Sequence, residues 1–170
     1  MVRKLVAAAV CASMLAACGS ASYQEAALQA SDSGDQKTAV SLAKKEVERF
    51  SGPDQCSRSK NINCGTLALA YGALASYQIL NGEKGAGEES LVLAKGALSL
   101  TDPALRAGAT AMVYRDVSEA FWRKGNRARA IAVFKEGRAA GADQWLFTSS
   151  VAKDAEQQQP QQPAAQQPTK

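Results

Sequence analysis

Residues 114–137 read YRDVSEAFWRKGNRARAIAVFKEG. In the first half, Tyr114, Val117, Ser118 and Phe121 recur at intervals of three and four, the spacing that places side chains on one face of an α-helix. Gly125 then breaks the run beside the polar Asn126. Glycine takes the left-handed conformation that ends a helix without steric cost, so it marks a corner. Beyond it Ala130, Ile131, Phe134 and Gly137 form a second stripe of helical period. The stretch therefore predicts two helices packed back antiparallel. Small side chains let the backbones approach, and a larger one fills the groove between them.

The same arrangement occurs twice more upstream. Tyr23 is followed eleven residues later by Gly34, and Tyr71 by Gly82, as Tyr114 is by Gly125. Five residues after each glycine stands a small residue (Ala39, Gly87, Ala130), and four beyond that Ala43, Leu91 and Phe134. Leu67, Tyr71, Leu74, Ala75 and Gln78 make the stripe of one first helix; Ala39, Leu42, Ala43, Val47 and Phe50 make that of one second helix. A self-similar unit that cannot bury its apolar face alone is expected to stack on its neighbours.

This pattern resembles the tetratricopeptide repeat (TPR). The third copy carries the resemblance best, through Tyr114, Val117, Ser118, Phe121, Gly125, Ala130, Phe134 and Gly137. The second keeps Tyr71, Leu74, Ala75, Gly82, Leu91 and Ala94; the first keeps Tyr23, Ala26, Ala27, Gly34 and Ala39. The tyrosines lie 48 and 43 residues apart, against about 34 in the family. The first excess coincides with residues 51–64. The second coincides with residues 100–108, where Thr101 reads as an N-cap and Pro103 as a first-turn proline. The expected fold is all-α: antiparallel helical hairpins stacked as a short TPR-like α-solenoid over residues 18–156, closed by a C-terminal capping helix. A plain antiparallel bundle without stacking is the alternative.

That last helix is read from Asp143 through Ala155, with Trp145, Leu146 and Phe147 covering the open end of the stack or offered to a partner. From Gln157 to Lys170 the chain is mostly Gln, Pro and Ala without apolar period, the composition of a disordered tail.

At the other end, Arg3 and Lys4 precede a short apolar run that meets Leu15-Ala16-Ala17-Cys18. A basic start, an apolar centre and small residues before a cleavage point predict a signal peptide over residues 1–17, too short to stay as a spanning helix. The cysteine directly after Leu-Ala-Ala resembles the bacterial lipoprotein signal. The resemblance implies fatty acylation of Cys18, membrane attachment through that lipid and, with Gly19 following, an outer-membrane lipoprotein facing the periplasm.

Four cysteines are present. Cys11 departs with the signal peptide and Cys18 takes the lipid. Cys56 and Cys64 remain as a pair in an oxidising compartment, where a bridge across the polar loop between them is expected.

Apolar residues make up 46% of the 170 and aromatics only 6%, which suits helices packed through small side chains. Histidine is absent, so His-based triads and His metal sites are excluded. No catalytic constellation stands out, no metal site or cofactor is expected, and the reading is of a protein that is not an enzyme. The net charge of +4 is too small to argue for nucleic acid. Residues 106–138, however, hold eight basic and three acidic side chains. They are expected to form either a solvated face or a patch for acidic lipid headgroups, an anionic envelope polymer such as peptidoglycan or an anionic glycan, or an acidic partner segment.

The TPR resemblance implies a concave groove lined by the first helix of each hairpin and taking a peptide or a helix of a protein partner. Gln78, Arg115 and Glu119, polar positions on first helices, together with Arg123, are the candidate partner-binding residues. The expected role is that of an adaptor or assembly factor in the cell envelope, resembling a pilotin or an accessory of secretion, pilus or outer-membrane biogenesis. A structural envelope protein binding glycan through the basic stretch is the alternative.

Overall fold

The computed structural model describes residues 22–142 and 149–157. Among them every regular element is an α-helix: α1 (Tyr23–Asp32), α2 (Gln36–Phe50), α3 (Cys64–Leu80), α4 (Lys84–Leu100), α5 (Pro103–Arg123), α6 (Arg127–Ala139) and α7 (Ser150–Gln157). They pack as three hairpins, α1–α2, α3–α4 and α5–α6, with α7 lying on α6 and α5. The all-α stack of hairpins with a terminal helix is the architecture expected above. Residues 1–21, with Cys18, and residues 158–170 lie outside the described residues. So do residues 143–148, with Trp145, Leu146 and Phe147, where the capping helix was expected to start; among the described residues the terminal helix spans Ser150–Gln157.

The corners are built alike. Gly34, Gly82 and Gly125 have φ of +89°, +92° and +75°, and Gly141 repeats them at +80°. After each glycine the next N–H reaches back five residues to a carbonyl. Asp35 donates to Ala30 at 2.9 Å, Glu83 to Gln78 at 2.8 Å, Asn126 to Phe121 at 2.9 Å and Ala142 to Gly137 at 3.0 Å. This closes carbonyls that a helix end otherwise leaves unpaired. Asp35 and Asn126 then cap the following helix, their side chains accepting from the N–H of Thr38 and Arg129.

The turn into α5 corrects one expectation. Asp102, not Thr101, is the N-cap, accepting from Ala104 N–H at 2.8 Å, and Pro103 opens the helix. Thr101 is buried and ends α4, its hydroxyl donating to the Ala97 carbonyl. A threonine hydroxyl that bonds back to the carbonyl four residues earlier weakens and bends a helix, which suits a position at its end.

Helix α3, CGTLALAYGALASYQIL, is apolar on nearly every side and is the central rod, packed against α2, α4 and α5. A helix apolar all round has to be surrounded. Glycines set its distances. A Cβ on Gly72 would lie 3.0 Å from Val113 Cγ2 and 3.3 Å from Val113 Cα, so α3 and α5 approach closely there. A Cβ on Gly87 would meet Ile79 Cγ1 at 2.6 Å and the Ala75 carbonyl at 3.1 Å, which fixes the α3–α4 spacing. Gly96, also on α4, faces open space.

The same substitution should therefore act with opposite signs on one helix. Gly96→Ala gains about 1 kcal/mol from helix propensity alone. In Gly87→Ala that gain is outweighed by overpacking of about 2 kcal/mol, for a net loss of about 1 kcal/mol. Urea unfolding of the two variants beside the parent checks this; equal shifts of the same sign would contradict the α3–α4 packing.

The hairpins are not stacked uniformly. The first meets the second mainly through α2, and α1 only grazes α3. The third meets the second mainly through α3 and α5, with slight contact between α4 and α5. Helices α1 and α5 make no close backbone approach to each other. A gap is left between them, with α3 as its floor.

Candidate functional site: a charged groove between the first helices

The gap is a cleft of about 310 Å³. One wall carries Gln24, Leu28, Ser31 and Asp32 of α1. The floor carries Ala73, Ser76, Tyr77 and Leu80 of α3, and the other wall Arg115, Asp116, Glu119, Ala120 and Arg123 of α5. Each set follows the three-and-four spacing of one helix face, so three parallel stripes converge on one volume. Leu28 is 53% exposed although large and apolar. It offers contact area to a ligand while the polar walls can orient one.

The electrostatics are mixed. Three carboxylates (Asp32, Asp116, Glu119) face two guanidinium groups (Arg115, Arg123). Arg115 is already engaged, its Nη2 lying 2.9 Å and its Nε 3.0 Å from Asp116 Oδ1. Burial pushes the Asp116 carboxyl above the ordinary carboxylate range, and Arg115 offsets only part of this. Glu119 is pushed up by burial and then by the charge of Asp116; Arg115, Arg123 and the Ser150 backbone N–H pull the other way. Tyr77 is raised by burial and by the charges of Asp116 and Asp32.

A sign follows for stability. A carboxyl whose folded pKa is raised binds its proton more readily when folded, so the native state loses stability as pH climbs from the unfolded toward the folded pKa. Glu119 and Asp116 therefore work against the fold at neutral pH. Glu119→Gln is expected to flatten the fall in stability just above the ordinary carboxylate range. Thermal unfolding midpoints measured from pH 4 upward test this; an unchanged slope would mean that Glu119 is better solvated than its position implies.

Of the four partner-binding candidates, Arg115, Glu119 and Arg123 line the groove. Gln78 does not, and that expectation is corrected. It is 5% exposed and faces α4, where its Oε1 accepts from Ser90 Oγ at 2.7 Å. One residue is about 100° of helical rotation, and the groove position is its neighbour Tyr77. Gln24, Leu28, Asp32, Tyr77 and Asp116 were not anticipated from sequence. The stripe of Gln24, Leu28, Ser31 and Asp32 was a visible signal for the α1 wall.

Cys56 and Cys64 form a disulfide, with Cα atoms 4.8 Å apart. It pins the 51–63 loop to the first turn of α3. The loop is further closed by Asn63 N–H to the Gln55 carbonyl at 3.0 Å and by a Lys60–Asp54 ion pair at 2.9 Å.

The basic stretch does not gather into one face. Arg129 grips both oxygens of Glu88 at 2.6 and 2.7 Å and also reaches Glu136 Oε1 at 2.8 Å; Lys95 meets the other Glu136 oxygen at 2.6 Å. Burial tends to raise the Glu136 carboxyl, but hydrogen bonds from Lys95 and Arg129 outweigh it and hold the group below its usual range. This network joins α4 to α6. Arg127 pairs with Asp154 at 3.5 Å, and Arg106 donates to the Thr101 carbonyl. Arg106, Arg115, Arg127 and Arg129 are thus engaged in internal ties, and Arg115 and Arg123 line the groove.

Among the described residues no helix is long and apolar enough to cross a membrane, and no group of Cys, Asp and Glu is placed to hold a metal ion. Comparison with protein-family models, with curated proteins and with solved structures returned no match to this chain.

Proposed function

We propose that the chain is a lipid-anchored envelope protein whose three TPR-like hairpins hold a segment of a protein partner, serving as an adaptor or assembly factor. One observation carries this reading: the first helices of all three hairpins contribute side chains to a single groove, and little else converges there. Its contents suit recognition of a peptide. Leu28, Tyr77 and Leu80 supply apolar contact, and ionised groups on both walls supply orientation. The anchoring part rests on the Leu-Ala-Ala-Cys motif at residues 15–18, and the periplasmic, outer-membrane placement on that same motif. The engagement of Arg106, Arg127 and Arg129 in bonds within the fold weighs against the glycan-binding alternative.

The test places a photo-crosslinking amino acid at Leu28 in the groove and, separately, at Val92, an exposed apolar residue on α4. A single adduct formed from Leu28 but not from Val92, and lost when Arg115 and Arg123 are both changed to Glu, supports the adaptor. Equal adducts from both positions, or co-sedimentation with purified sacculi that salt abolishes, turn the reading toward the envelope-binding alternative. Cys18→Ala is expected to release the protein from the membrane fraction.

A further inference from the structure

A second cleft opens where α4 and α5 diverge. These helices touch only slightly, since α5 leans on α3, and the space left between them measures about 250 Å³. Lys95, Leu98 and Ser99 line it from α4, and Arg106, Thr110 and Tyr114 from α5. Ala140, just beyond α6, adds to the wall. Both helical sets follow the three-and-four spacing of a single face. None of these residues lines the groove between α1 and α5, so the two spaces are separate.

The contents differ from those of the groove. Two cations line the cleft and no carboxylate does. Arg106 holds the Thr101 carbonyl through Nε at 3.2 Å and Nη2 at 2.7 Å. This fixes the guanidinium at the end of α4 and leaves Nη1 without a partner among the described residues. Lys95 spends one of its three donors on Glu136 at 2.6 Å, and its Nζ lies 5.7 Å from the Tyr114 ring centroid. Thr110 is 2% exposed and Tyr114 5%. The Thr110 hydroxyl makes no hydrogen bond among the described residues and is not sealed off, so what exposure it keeps is toward the cleft. A side chain this deeply buried seldom leaves its hydroxyl without a partner.

We propose that this cleft binds a phosphate group carried on a short carbon skeleton. Preference for an anion follows from the two cations on opposite walls, with no lining carboxylate to oppose them. Preference for phosphate over carboxylate follows from the spread of donors. Arg106 Nη1, the remaining hydrogens of Lys95 and the hydroxyls of Thr110 and Tyr114 come from two helices. The two coplanar oxygens of a carboxylate cannot face them all, whereas the oxygens of a tetrahedral phosphate point several ways. Leu98, Ala140 and the Tyr114 ring give apolar contact to the skeleton. The volume lies just below that of pockets for drug-sized ligands, which begin at about 300 Å³, so it suits one small group and not a helix. A phospholipid headgroup and a soluble phosphate ester share this chemistry. The site stands whether or not a partner segment occupies the groove.

The experiment follows backbone amide shifts of the full-length chain in uncharged detergent micelles while glycerol 3-phosphate is added. The expected result is a saturable shift at Ser99, Arg106 and Thr110, with Leu28 and Arg115 in the groove unmoved. Thr110→Val should weaken binding by about threefold or more. It should leave the unfolding midpoint unchanged or raised, because the hydroxyl it removes makes no bond within the fold. Arg106→Gln should weaken binding by about tenfold or more. It also loses a tie to α4, so Thr110→Val decides if that variant folds poorly. Acetate binding as tightly as glycerol 3-phosphate overturns the proposal. So does the lack of a saturable shift at these amides, or an affinity that Thr110→Val leaves unchanged. Tighter binding of a short-chain phosphatidylglycerol than of glycerol 3-phosphate at the same amides supports the site and assigns a lipid headgroup. The reverse order supports it and assigns a soluble ester.

Discussion

Replacing Phe121 by alanine is expected to destabilise the protein by about 3–5 kcal/mol. The size follows from how this core is made. Alanine supplies close to half of the buried apolar side chains, and Phe121 and Phe134 are the largest that are fully buried. Phe121 is 1% exposed on α5, and the Arg129 guanidinium lies 5.8 Å from its ring centroid. Where neighbours are long and flexible, a cavity partly collapses onto itself. Here much of the core is alanine methyl groups on closely spaced rods, and a methyl group cannot lean into a space. The loss should thus fall toward the upper end of the range, a large part of the roughly 5–15 kcal/mol that holds an ordinary domain. Leu105→Ala, at a position 64% exposed, should change stability by less than about 0.5 kcal/mol. Urea unfolding of both variants decides the matter. A loss below about 1.5 kcal/mol for Phe121→Ala would show that α5 and α6 are looser than described.

Reducing the Cys56–Cys64 disulfide should cost about 2–3 kcal/mol, or about 10 °C in Tm. The bridge spans eight residues in sequence, and in the chain-entropy account even so short a loop restricts the unfolded chain appreciably. Its position makes the effect more than local. Cys64 is fully buried at the first turn of α3, and the loop it holds joins the first hairpin to the second. That junction runs mainly through α2, since α1 barely touches α3. Reduction should therefore loosen the first hairpin before the others, and the α1 wall of the groove with it. Hydrogen exchange in α1 and α2 should rise more than in α5 and α6. A Cys56→Ala, Cys64→Ala variant should unfold at the reduced midpoint whether or not reductant is present. An unchanged midpoint on reduction would mean that the hydrogen bonds of Asn63 and Lys60 already fix the loop.

How far the groove could be foreseen is uneven, and the reasons are physical. Arg115, Glu119 and Arg123 follow one another at four-residue spacing on a helix whose opposite face is plainly apolar, so their exposed side could be read directly. Gln78 misled because α3 has apolar residues nearly all round. A helix without a polar face carries no local mark of which side meets which neighbour. The one side-chain amide of α3 was spent on accepting a hydrogen bond from Ser90 instead. The burial of Glu46 was hidden for the opposite reason: that residue sits in KKEVER, a charged run that looks solvated along its whole length. Only the packing of α2 against α1 and α3 leaves this residue 4% exposed. The loop cysteines could be paired without geometry because the expected signal peptide and lipid would take the other two.

The sequence by itself determined the hairpins, because local rules suffice for them. A three-and-four apolar period makes each helix, and a glycine that tolerates positive φ turns the chain at Gly34, Gly82 and Gly125. The tertiary structure alone decided that the first hairpin joins through α2 and the third through α5, and hence that a groove opens between α1 and α5 at all. Junctions of that kind depend on how closely two rods approach at single residues such as Gly72 and Gly87. That is a property of pairs of surfaces, which no periodicity within one helix records.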